Sequence, residues 1–126
     1  MRQFKIVCDG VDPGVIPEGF GTLELAVQGK NKNVELKVAA ISKAVMGNIP
    51  DAVMDLLEIG AYVYCADQHI SRGSEILKDY GKDWPRDLYF KIPVRNAELW
   101  QRDDLTQALQ ETLKYLSGEP YHFEFE

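Results

Sequence analysis

The chain has 126 residues, enough for one domain that buries most of its apolar surface and too few for two conventional cores. Hydrophobic residues make up 45% and charged residues 27%, near the globular average, which excludes disordered, collagen-like and disulfide-scaffold chains. Residues 1–50 carry 6 basic and 5 acidic side chains and residues 51–126 carry 8 and 15, or +1 and −7, so the second half repels phosphates and disfavours direct nucleic-acid binding.

The N-terminal stretch MRQFKIVCDG holds neither the apolar core nor the small-residue cleavage site of an export signal, and no apolar run in the chain is long enough to span a membrane. A cytoplasmic location without membrane attachment is expected, with Cys8 and Cys65, which lack CxxC spacing, as reduced thiols. RQFKIVC alternates as a half-buried strand does, with Phe4, Ile6 and Cys8 on one side. The glycine- and proline-rich DGVDPGVIPEGFG then predicts a long loop over Asp9–Gly21. Its acids Asp9, Asp12 and Glu18 lack the ligand spacing of a calcium loop.

TLELAV and VELKV alternate with the same period about the turn-rich QGKNKN. The spacing predicts antiparallel strands over Thr22–Val27 and Val34–Val38. A long helix follows, capped by Asn48, with Pro50 at its entry and Gly73 at its stop. DLYFKIPV reads as a strand. DDLTQALQETLKYLSG places Leu105, Ala108, Leu109, Leu113 and Leu116 on one helical stripe ending at Gly118. YHFEFE closes as a strand with Tyr121, Phe123 and Phe125 on one side. The order βββαβαβ predicts an α+β two-layer sandwich, a sheet of about five mixed or antiparallel strands with two helices on one face, as one domain over residues 1–126.

VYCADQHISRG gathers Cys65, Asp67, His69 and Arg72. At about 100° per residue, Cys65 and His69 lie near one another around the helix and Asp67 points almost oppositely, so they form no reactive centre. An arc holding Ala52, Leu56, Leu57, Ile59, Gly60, Val63, Tyr64 and Ile70 predicts the buried face of the helix. Asp55, Glu58, Tyr62, Cys65 and His69 then fall on the polar side. Asp67 sits amid the apolar arc, where a buried carboxylate needs a cation, and Arg86 at the head of the next strand is the candidate; Arg72 points off the apolar side. Trp84 and Trp100 read as core or interface anchors. No catalytic motif, metal set or cofactor fingerprint occurs, and no metal or cofactor is expected.

The runs DAVMDLLEIGAYVYCADQHISRG, WPRDLYFKIPV and LW with the leucine-rich helix and LSGEPYHFEFE resemble the N-terminal region of QueC-like proteins of bacterial anti-phage defence systems of the Qat and CBASS types, relatives of 7-cyano-7-deazaguanine synthase. The similarity covers Asp51 to Glu126. In that family ATP-dependent chemistry belongs to a later domain with an SGGxDS loop and a cysteine-bound zinc, and this sequence holds neither. The resemblance therefore implies the accessory N-terminal module of a larger protein or a stand-alone copy of it, with Asp67, Arg72, Trp84 and Arg86 as family-like positions and Gln68 where an arginine is expected. The function expected is a non-catalytic module that docks a protein partner or adjoining domain of a defence system. The alternative is a small-molecule domain, for a nucleotide or deazapurine, using the loop Asp9–Gly21 with Trp84 or Trp100 nearby; Arg72, Trp84 and Trp100 are the candidate ligand or partner contacts, and an enzyme in its own right, with Asp67 as its acid, is the third reading.

Overall fold

Four short segments in which every second residue is apolar build one sheet, and the remaining structure follows from which side of it water keeps. The computed structural model describes residues 2–27, 30, 32–34, 49–73 and 86–126. In chain order these hold β1 (Arg2–Cys8), β2 (Gly21–Leu25), α1 (Asp51–Gly73), β3 (Arg86–Ile92), α2 (Ala97–Trp100), α3 (Asp103–Ser117) and β4 (Tyr121–Phe125).

The fold is α+β, but the sheet differs from the one expected. Among the described residues it has four strands in the order β2-β1-β3-β4, and every neighbouring pair is parallel. β2 lies beside β1, with Phe4 opposite Gly21 and Cys8 opposite Leu25, so Asp9–Phe20 is the return of a parallel crossover. The second strand of the antiparallel hairpin expected between Thr22–Val27 and Val34–Val38 falls outside the described residues, beyond Val34. Val34 itself donates its N–H to the Ala26 carbonyl at 2.9 Å. A period of two decides which face a side chain takes and leaves the neighbouring strand undetermined.

Register places Phe4, Ile6, Cys8, Leu23, Leu25, Leu88, Phe90, Ile92, Tyr121, Phe123 and Phe125 on one side, where α1 and α3 pack. Phe123 stacks between Phe90 at 5.2 Å and Phe125 at 5.6 Å, continuing the aromatic layer along β4. Gly21 is required by close approach, since a Cβ there would meet the Phe4 ring at 2.7 Å. Gly118, with φ of 78°, ends α3 and donates its N–H to the Lys114 carbonyl at 2.7 Å, a left-handed stop that needs glycine.

Among the described residues, amide side chains bond part of the outward main chain of the two outer strands. On β2, Asn33 accepts the Ala26 N–H at 2.7 Å and donates to the Glu24 carbonyl at 2.8 Å, as a neighbouring strand would. On β4, Gln110 accepts the Phe123 N–H at 2.9 Å and Gln101 donates to the Phe125 carbonyl at 2.8 Å. These bonds occupy main-chain groups that an exposed edge would offer to another chain.

Candidate functional site

Helix α1 is turned differently from the expectation. Its buried face is centred near Tyr62, about 180° around the helix from Val53. Asp55 and Glu58, expected in solvent, are 1% and 6% exposed, whereas Leu56 and Tyr64, expected in the core, are 52% and 66% exposed. The cause is Arg95, in the turn after β3. It donates to Glu58 through Nη1 and Nη2 at 3.1 and 2.7 Å and to Asp55 through Nη1 at 3.2 Å. Asp55 also accepts the backbone N–H groups of Arg95 and Asn96 at 2.9 and 3.0 Å, so its buried charge is satisfied from three directions. With these carboxylates held inward beside Ile59, Tyr62, Ala66 and Ile70, only part of the expected arc reaches the core, and Leu56, Gly60 and Tyr64 are left outside it.

That arc forms one wall of a groove between α1 and α3, a cavity of about 380 Å³. Leu56, Gly60, Val63, Tyr64 and Asp67 line it from α1, and Leu109, Leu113 and Ser117 from α3, with Ile59 and Tyr121 beneath. Burial first, and then the charge of Asp67, push the Tyr121 phenol above its usual range. Helix α3 contributes no fully buried residue: Leu105, Leu109 and Leu113 pack partly against the core, Leu109 and Leu113 also line the groove, and Leu116, expected on the same stripe, is exposed.

Asp67 stands at the Tyr121 end of the groove. Arg86 donates through Nη2 to its Oδ1 at 2.5 Å, joining α1 to the start of β3. The pair expected from sequence is thus present as a contact, but the Asp67 side chain is 41% exposed rather than deeply buried. Glu119, which the sequence reading passed over, has the larger share of Arg86: it accepts from the backbone N–H at 2.9 Å, from Nε at 2.8 Å and from Nη2 at 2.5 Å. Burial raises the Glu119 carboxyl and the bonds and charge of Arg86 lower it more, leaving it below its ordinary value. The signal for Glu119 was its place directly behind the helix-ending Gly118, which returns the chain to β4 beside the head of β3.

The other sheet face is polar, and its cluster was also missed. Asp87 is buried and faces three donors: His122 Nε2 at 2.6 Å, Tyr89 Oη at 3.0 Å and Gln3 Nε2 at 3.4 Å. Tyr89 stacks on His122 at 4.2 Å, and Phe20, at the end of the crossover loop, tilts onto Tyr89 at 5.3 Å. The alternate polar positions Asp87, Tyr89 and Lys91 of β3 and His122 and Glu124 of β4 carried this signal once the strands were known to be neighbours.

The remaining expected residues do not converge on a site. Trp100 is 5% exposed, packed against Phe125 at 5.7 Å, and belongs to the core rather than to a contact surface, because α2 carries it under the carboxyl end of β4. The side chain of Arg72 and all of Trp84 lie outside the described residues. The loop Asp9–Phe20 borders a cavity of about 490 Å³ beside the end of β2, lined in part by Asp12, Glu24 and Asn33, with no cation among the described lining residues. Asp12 there accepts the Gly14 N–H at 2.9 Å and Asp9 the Val27 N–H at 3.0 Å. Cys8 is buried and unpaired with Cys65. Among the described residues no three metal-ligating side chains gather, and no helix is long and apolar enough to cross a membrane. Compared with protein-family models, characterised proteins and solved structures, the chain matches none.

Proposed function

We propose that this chain is a non-catalytic, cytoplasmic interaction module, the accessory domain of a bacterial anti-phage defence protein of the QueC-like kind. The observation that carries the reading is the inversion of α1: its carboxylates point into the fold while Leu56, Gly60 and Tyr64 face outward over an apolar groove. Burying Asp55 and Glu58 is costly, and among the described residues the outward Leu56 and Tyr64 gain little from the core. They gain when a partner covers them, which is how grooves of this kind bind. The resemblance over Asp51–Glu126, with no ATP-binding loop or zinc cysteines in the sequence, supports an accessory rather than a catalytic part. The acidic lining of the loop cavity disfavours a nucleotide phosphate there.

Co-purification with the proteins encoded beside this one tests the reading. The parent chain should form a complex with a neighbour or adjoining domain, and Leu56→Glu and Tyr64→Glu, both at well-exposed positions, should lose it while melting normally. A chain that stays monomeric in the presence of all those neighbours contradicts the assignment.

A further inference from the structure

Resting on the reading of the α1–α3 groove as a docking site, we infer that its occupant is one amphipathic α-helix of a partner protein, apolar along a single stripe and basic where it meets Asp67. The α1 wall runs from Leu56 to Asp67, roughly 16 Å at 1.5 Å per residue, which matches about three turns of a guest helix. Such a guest presents one anchor per turn at i, i+4 and i+7. Midway along the wall is Gly60, where an added Cβ would meet nothing within 4 Å, so the guest backbone approaches closely at that point.

Charge decides what flanks the anchors. Among the described residues lining the groove, Asp67 is the one charged side chain, 41% exposed, and it shares its partner Arg86 with Glu119. The whole chain carries −6. A second copy would bring the same acids against these, whereas a basic helix complements them. Strand addition is the other way a partner attaches to such a fold, and among the described residues Asn33, Gln101 and Gln110 already occupy some of the outward main-chain groups at the two outer strands.

The test uses fluorescence anisotropy of two labelled helical peptides of about 15 residues, both with leucines spaced i, i+4, i+7, one with flanking lysines and one with flanking glutamates. The full chain should bind the lysine peptide more tightly, by about tenfold. Leu56→Glu and Gly60→Leu should weaken that binding by a similar factor, and Asp67→Lys should reverse the preference toward the glutamate peptide. Glu119 retains Arg86 in that last variant, and a melting curve verifies its fold. Equal binding of the two peptides, an unchanged preference in folded Asp67→Lys, or a homodimer that Leu56→Glu dissolves overturns the inferred occupant. If co-purification with a neighbour is still lost in Leu56→Glu, the interaction-module reading stands without it; if co-purification ignores the groove substitutions as well, both fail.

Discussion

Replacing Glu119 by alanine should destabilise the protein far more than replacing Asp67, although both carboxylates bind Arg86. Glu119 accepts three bonds, including one from the backbone at the first residue of β3, and its side chain is 18% exposed. Asp67 accepts one side-chain bond from a position 41% exposed. Charge-assisted bonds contribute about 1.5–3 kcal/mol each but not additively, and Arg86 retains Asp67, so Glu119→Ala should cost about 3 kcal/mol. The more exposed Asp67 bond, discounted for solvent screening, gives about 0.5–1 kcal/mol. With a urea slope of about 2 kcal/mol/M, the midpoint should fall by roughly 1.5 M for Glu119→Ala and by under about 0.5 M for Asp67→Ala. Acid adds a second arm. The folded Glu119 carboxyl lies below its ordinary value of 4.5, so its contribution is whole above that value and is lost as pH falls toward and through the folded value. Glu119→Gln should remove that component of the acid sensitivity. Equal midpoints for the two alanine variants would refute the assignment of Arg86 chiefly to Glu119.

Three further outcomes follow from the fold. Cys8, raised by burial first and then by the charge of Asp9, should resist a thiol reagent in the native protein while half-buried Cys65 reacts, so that the titre doubles in denaturant; two fast native thiols would contradict the burial. Because the unfolded Cys8 ionises near 9.0 and the folded one does not, stability should decline as pH rises past that value, less so in Cys8→Ala, by denaturation at graded alkaline pH. Gly21→Ala should cost about 1–3 kcal/mol through its contact with Phe4, and denaturation showing no loss would refute the close β1–β2 approach.

What the sequence disclosed depended on distance along the chain. Alternation in RQFKIVC, DLYFKIPV and YHFEFE was enough to put Ile6, Phe90 and Phe125 on the apolar face, because side-chain direction in a strand is local. Strand partners were not local: the parallel pairing of Phe4 with Gly21 depends on how the crossover returns. The face of α1 was misjudged for a related reason. Hydropathy sends Asp55 and Glu58 to solvent, and only Arg95, thirty-seven residues beyond Glu58 and folded back across the sheet, makes their burial tolerable. The Asp67–Arg86 contact was anticipated from a carboxylate within an apolar arc, but that arc lies largely outside the core and Asp67 is 41% exposed, so burial is not what pairs them. Glu119 was not anticipated, since its role appears only when β4 lies beside β3.

The most direct test of the groove as the docking site is photo-crosslinking from within it. A benzophenone amino acid placed at Tyr64 on the groove wall, with the same group at Thr22 on the opposite sheet face as a control, is irradiated with the co-expressed neighbouring proteins and the adducts are mapped by mass spectrometry. The account predicts an adduct from position 64 to a basic amphipathic helix of a partner and none from position 22. Adducts from position 22 alone, or from position 64 to a second copy of this chain, would contradict it.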